Sequence, residues 1–159
     1  MPRRYVALLR AITNVGMRRF REELEALGFT DVASYGSSGN LLFNAARTDA
    51  AALERRIAAR LGVVTLVRTR AELARIVARD PLDSDILFLV RAPTPARRRA
   101  FRKLEFEGPR PVLYGKTVFF VFPARLRGKR TPFDLERALG VQGTIRTARV
   151  VRRLLARTV

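Results

Sequence analysis

Residues 32–43 read Val-Ala-Ser-Tyr-Gly-Ser-Ser-Gly-Asn-Leu-Leu-Phe. Two runs of strand length, Val32 to Tyr35 and Asn40 to Phe43, flank the turn-forming Gly36-Ser37-Ser38-Gly39, and this punctuation predicts two paired strands. Upstream, Met17, Phe20, Leu24 and Leu27 recur at helical spacing until Gly28 supplies a stop, and the short apolar run Tyr5 to Leu9 precedes them. Downstream, Leu53, Ile57 and Leu61 form a second helical stripe with Arg55, Arg56 and Arg60 off it, and Val63 to Val67 returns as a strand. Read outward from the hairpin, residues 1–68 have the order β-α-β-β-α-β, the signature of a split β-α-β unit.

The rest of the chain repeats that order. Thr69 and Glu72 have capping-box spacing for a helix carrying Leu73, Ile76 and Val77, which Asp80-Pro81 ends, so residues 69–85 read as a connecting helix and turn. Over residues 86–145, Ile86 to Val90 is a strand and Thr94-Pro95 opens the basic helix Ala96 to Lys103. Pro111 to Tyr114 and Thr117 to Phe122 form a hairpin turning at Gly115-Lys116, and Thr131-Pro132 opens a helix that closes at Gly140. The final strand is expected to be short or missing near Val141 to Ile145, and a last amphipathic helix runs from Arg146 to Arg157 in residues 146–159. The expected fold is α+β: two ferredoxin-like (split β-α-β) halves packed as one compact unit, with an extra C-terminal helix. A single mixed sheet built from the same elements is the alternative.

Composition narrows the chemistry. The chain has 159 residues, 48% of them apolar, which is enough for one ordinary globular core. It contains no Cys and no His, which removes thiolate nucleophiles, Ser-His-Asp triads, the usual zinc sites and disulfides. A cytoplasmic location is the default expectation. No apolar run approaches the roughly 20 residues of a membrane-spanning helix, and Arg10 interrupts the apolar start, so the N-terminal stretch reads as a strand and not as an export signal. Tyr114-Gly115-Lys116-Thr117 lacks the first glycine of a phosphate loop, since Arg110 stands there. No GxGxxG is present, so no nucleotide cofactor is expected. Asp80, Asp83 and Asp85 match no cation-loop spacing and read as a surface turn, so no metal is expected.

Charge is the unusual feature. Thirty-two basic residues against 14 acidic ones give a formal +18, and 29 of the basic residues are Arg. A field of that sign attracts nucleic acid or another polyanion; a genome rich in G and C would also favour Arg over Lys. Two segments are candidate anion-binding elements: the loop Arg125, Arg127, Lys129, Arg130 and Thr131, leading into a helix N-terminus, and the terminal face Arg146, Arg149, Arg153 and Arg157 with Arg152 adjacent. No aromatic residue lies among those terminal arginines in sequence to stack on bases. Solvated basic surfaces are the plain alternative for both. The first functional reading is therefore a non-enzymatic polyanion-binding protein. The second is a small-ligand or enzymatic site for an anionic metabolite at the strand ends near Arg10, Asn14, Ser38 and Asn40, where Arg10 would fix the anionic group. Without His, a Ser nucleophile there would need Lys or a carboxylate as its base. Whether the chain is an enzyme and what its oligomeric state is stay open.

Several stretches resemble a bacterial family, the domain of unknown function 1697. Its members begin like YVALLRGINVGG, which Tyr5 to Arg10 with Ile12, Asn14, Val15 and Gly16 match. Leu24 to Phe29 match LxxLGF, and Ser34-Tyr35 with Ser38-Gly39-Asn40 and Leu41 to Phe43 match TYxQSGNVVF. Residues 67–73 resemble VRTxxEL, and Gly143, Thr144, Arg146, Val151 and Leu154 match ALGVPGTTRNWNTVxKL. The chain departs at Ala11, Ser37 and Thr147-Ala148, where the family has Gly, Gln and Asn-Trp, and its loop after Val15 is shorter. The resemblance implies two ferredoxin-like halves without a settled activity, and strong basicity is not a hallmark of the family.

Overall fold

The strand pair around residues 36–39 forms as expected and sits at one side of a four-stranded antiparallel sheet. The computed structural model describes residues 1–12, 16–81 and 83–159, so Asn14 lies outside the described residues. The chain divides into two compact units, residues 1–78 with 150–159, and residues 79–149. The first unit contains β1 (Pro2–Leu9), α1 (Arg18–Ala26), β2 (Thr30–Ser34), β3 (Asn40–Ala46), α2 (Ala50–Leu61) and β4 (Thr65–Thr69), and most of α3 (Arg70–Arg79). Its sheet has the order β2-β3-β1-β4. Alternate β1 residues Tyr5, Ala7 and Leu9 face one core with Leu41 and Phe43, Phe20 and Leu24 of α1, and Leu53, Ile57 and Leu61 of α2. Period-2 strands and period-3.6 helices thus bury the stripes their spacing defines. The Thr69–Glu72 capping box forms: the Glu72 carboxylate accepts the Thr69 N–H at 2.7 Å and the Thr69 hydroxyl accepts the Glu72 N–H at 3.2 Å.

The second unit begins with β5 (Asp85–Leu89) and α4 (Pro95–Arg102), then β6 (Phe106–Glu107), β7 (Val112–Tyr114), β8 (Thr117–Phe120), β9 (Arg125–Leu126), α5 (Leu135–Leu139) and β10 (Gly143–Thr147). The expected Thr94 cap is present, its hydroxyl accepting the Arg97 N–H at 3.2 Å. The four long strands pair in the order β10-β5-β8-β7, all antiparallel, and β6 pairs with β9 in a small ribbon. In each unit the fourth strand lies beside the first, then the third and second. The backbone repeats in detail: Leu9 N–H donates to Gly39 O and Leu89 N–H to Lys116 O, both at 2.8 Å. Arg10 N–H donates to Val64 O at 2.9 Å and Val90 N–H to Gln142 O at 3.0 Å. Two separate four-stranded sheets replace the single mixed sheet of the alternative expectation.

Two expected boundaries are corrected. The last strand is complete, and Arg146 belongs to it; the helix that follows, α6 (Ala148–Ala156), starts two residues later. Thr144, Ile145 and Thr147 are β-branched and favour the strand, and Gly143 lets it approach β5, since a Cβ there would collide with the Phe88 carbonyl oxygen. Thr131-Pro132 does not open a helix. The α5 cap is Asp134, whose carboxylate accepts the Arg137 N–H at 3.0 Å. Residues 131–134 are drawn elsewhere, with Phe133 N–H donating to Ala124 O at 2.6 Å.

Candidate anion-binding site

At the C-terminal end of β1, the turn of residues 35–40 is held by its own side chains. Gly39 takes φ +87° and packs so closely that a Cβ would lie 2.9 Å from that of Leu9. Buried Asn40 donates its side-chain N–H groups to Tyr35 O and to Ser38 Oγ, both at 3.1 Å, while its carbonyl accepts the Tyr35 N–H. Both amide donors of Asn40 are therefore engaged in shaping the turn. Arg10 is half-buried beside this turn, one residue past the Leu9–Gly39 hydrogen bond. The fold thus brings Arg10, Ser38 and Asn40 to one end of one sheet.

Tertiary structure adds three residues there that sequence reasoning missed. Arg21, on α1, donates to the Ser34 hydroxyl at 2.6 Å. The Arg157 guanidinium lies 4.9 Å above the ring of half-buried Tyr35. Arg157 follows α6, whose Arg149, Arg152 and Arg153 are exposed while Val151 and Leu154 are buried. The terminal basic segment, which has no aromatic neighbour in sequence, acquires one in space. A guanidinium stacked on a ring is pre-ordered, and its in-plane N–H groups point outward as donors for phosphate or carboxylate oxygens.

The other predicted residues are distributed differently. Arg125 lies in β9 and donates to Arg130 O at 2.7 Å, and Arg127 pairs with Glu105 at 3.5 Å. Lys129, Arg130 and Thr131 are exposed. The helix N-terminus expected to complete an anion site with them begins farther along and holds the Asp134 carboxylate instead. Arg146 is only 6% exposed. It donates to Thr144 Oγ1 at 2.7 Å and Ile145 O at 2.9 Å, and burial pushes its pKa down to about 10. It is therefore no part of the exposed helix face.

Arg68 holds the matching place in the first unit: Arg68 pairs with Val6 three residues before Leu9, and Arg146 with Ile86 three residues before Leu89. Arg68 is 2% exposed and donates to Glu54 Oε1 at 3.3 Å and Val67 O at 3.0 Å. Burial lowers its pKa, and the nearby Glu54 and Glu72 carboxylates oppose that shift.

The acidic residues are largely committed to the backbone. Besides Glu54 on Val67 and Glu72 on Thr69, Asp49, Asp80, Asp85, Asp134 and Glu136 accept from the N–H groups of Ala51, Ser84, Phe122, Arg137 and Gly143. That is seven of the 14 acidic residues. Ion pairs such as Arg4–Asp31, Arg18–Glu22 and Arg60–Glu23 draw on the same short supply. Many arginines bond carbonyls instead, as Arg91 does at Gly140, Arg97 at Ala138 and Arg98 at Gly115. A carbonyl satisfies the donor without cancelling its charge. Each unit carries 16 basic and 7 acidic residues, a net +9 apiece.

A family model described as "Protein of unknown function (DUF1697)" matches residues 2–119. Among solved structures, conserved bacterial protein SP0830 from Streptococcus pneumoniae is similar, with a TM-score of 0.68 and 22% identity over 100% of both chains. At that identity the likeness speaks to the fold alone. No curated protein matches the sequence. Among the described residues no helix is long and apolar enough to cross a membrane, and no group of three or more His, Cys, Asp or Glu side chains could hold a metal ion.

Proposed function

We propose that this chain, which belongs to the DUF1697 family of proteins of unknown function, is a non-enzymatic binder of polyanions such as nucleic acid. The shared strand order of the two units supports reading each as a ferredoxin-like half. The observation that carries the functional reading is the stacking of Arg157 on Tyr35, beside the strand end that Arg21 also engages. Three elements distant in sequence deliver guanidinium groups around one turn, and exposed Arg152 and Arg153 extend the cationic surface along α6. Such a surface grips phosphates without reading base sequence.

The test is binding of a labelled single-stranded oligonucleotide, followed by anisotropy between about 50 and 200 mM salt. Affinity is expected to fall linearly on a log–log plot, at about 0.7 per phosphate neutralised. Arg157→Ala and Arg153→Ala should each weaken binding and flatten that slope by roughly one phosphate contact. Salt-independent binding, or variants that bind as the parent does, would defeat the reading.

A second reading follows from Arg10 lying beside exposed Ser38: a small anionic metabolite held by the Arg10 guanidinium at the strand end. In this reading Asn40 shapes the turn and does not touch the ligand. A phosphorylated or carboxylated metabolite that raises the thermal midpoint of the parent but not of Arg10→Ala would support it, and silence across a broad panel would end it.

A further inference from the structure

In the second unit, the helix between the third and fourth strands of the sheet is too short to cover it. Its counterpart α2 has twelve residues, whereas α5 has five, so at 1.5 Å per residue the cover shrinks from about 18 Å to about 8 Å. The uncovered end of the sheet forms an apolar groove. A cleft of about 150 Å³ includes Leu87, Phe120, Phe122, Phe133 and Ile145 in its lining. A second cleft of about 360 Å³ shares Pro132, Phe133 and Asp134 with it and continues past Leu126 to Lys129 and Arg137. Phe122 is 66% exposed and Ile145 48% exposed. Large apolar side chains gathered on one surface mark an interaction site more often than isolated ones do.

Ile145 lies on β10, an edge strand of its sheet. Antiparallel pairing alternates the direction of successive N–H groups. Gly143 N–H points away from β5, to Glu136 at 2.6 Å, so that of Ile145, two residues on, faces the same open edge. The charge beside the groove favours one kind of occupant. Lys129 and Arg137 are exposed at one end. The bordering carboxylates of Asp85, Asp134 and Glu136 each accept a backbone N–H. The unit as a whole carries +9, which opposes a second copy of the same chain.

We propose that this groove docks an extended, apolar segment of an acidic partner protein. Its apolar side chains would enter the two clefts, its acidic side chains would face Lys129 and Arg137, and a backbone carbonyl would accept the Ile145 N–H, a form of edge recognition. These residues are distinct from those of the polyanion surface, so either proposal can fail alone.

The probe is a labelled synthetic peptide alternating Phe and Glu, compared with one alternating Phe and Lys and one alternating Ser and Glu. The Phe/Glu peptide is expected to bind at least about tenfold tighter than either control, a difference of about 1.4 kcal/mol. It should slow hydrogen exchange of the Ile145 amide. Phe122→Ser and Ile145→Ser should each weaken it about tenfold, whereas Val112→Ser, at an exposed apolar residue on β7 outside the groove, should not. Equal binding of the Ser/Glu peptide reduces the effect to charge and overturns the proposal, as does equal binding of the Phe/Lys peptide. An unprotected Ile145 amide in the parent protein overturns it even where a variant fails to fold. Self-association abolished by Ile145→Ser overturns the choice of partner.

Discussion

Arg68 and Glu54 give the clearest energetic asymmetry at the level of single residues. The guanidinium is buried, and the carboxylate supports both it and the Val67 N–H at 2.9 Å. Removing the anion leaves a desolvated cation and an open edge amide, whereas replacing the cation with an apolar side chain removes the need for a counter-charge. Glu54→Ala should therefore cost about 2–4 kcal/mol and Arg68→Met about 1 kcal/mol or less. Urea unfolding checks the order, and a larger loss for Arg68→Met would contradict it. Neither burial was legible in the sequence, where Arg68 and Arg146 are two arginines among 29. Strand alternation assigns a side chain to a face, but what covers that face is a tertiary matter.

Among the elements, α4 carries its N-terminal signal in the sequence and its C-terminal one in space. Thr94-Pro95 is a local cap and was readable as such. At the other end Arg110, reaching back from the loop, donates to Leu104 O at 2.6 Å, Arg102 O at 2.8 Å and Phe101 O at 3.1 Å, with its guanidinium 5.7 Å from the Phe106 ring. One planar fork thus serves three carbonyls at the negative end of the helix dipole. Arg110→Ala should lower stability by about 1–3 kcal/mol, and Arg110→Lys should recover little because an ammonium cannot reproduce the fork. Full recovery by lysine in denaturant titrations would reduce the interaction to simple charge. The misplaced start of α5 has a similar origin: Thr131-Pro132 and Asp134 are both plausible caps, and the Phe133–Ala124 hydrogen bond selects between them.

For the whole molecule, self-repulsion is the governing quantity. With +9 on each unit and half of the carboxylates bonded to backbone, the folded chain concentrates like charge that added salt screens. The thermal midpoint should rise by about 2–4 °C, equivalent to about 1 kcal/mol, when NaCl goes from about 20 to 300 mM. An uncharged solute at matched osmolality should not reproduce the salt-specific part of the gain. A midpoint indifferent to salt would mean that the surface arginines are compensated by arrangement.

The amino-acid order by itself determined the alternation of helices and strands, both turns in the sheets, the caps at Thr69 and Thr94, the family and the surplus of positive charge. These are local or additive properties: periodicity, glycine's access to positive φ, short-range capping and a count of ionisable groups. Only the tertiary structure decided that Arg157 meets Tyr35, that Arg146 is an interior strand residue, and that a truncated α5 leaves Phe122 and Ile145 uncovered. Each depends on groups brought together by chain closure, and a contact between residues remote in sequence leaves no mark in the spacing of either one.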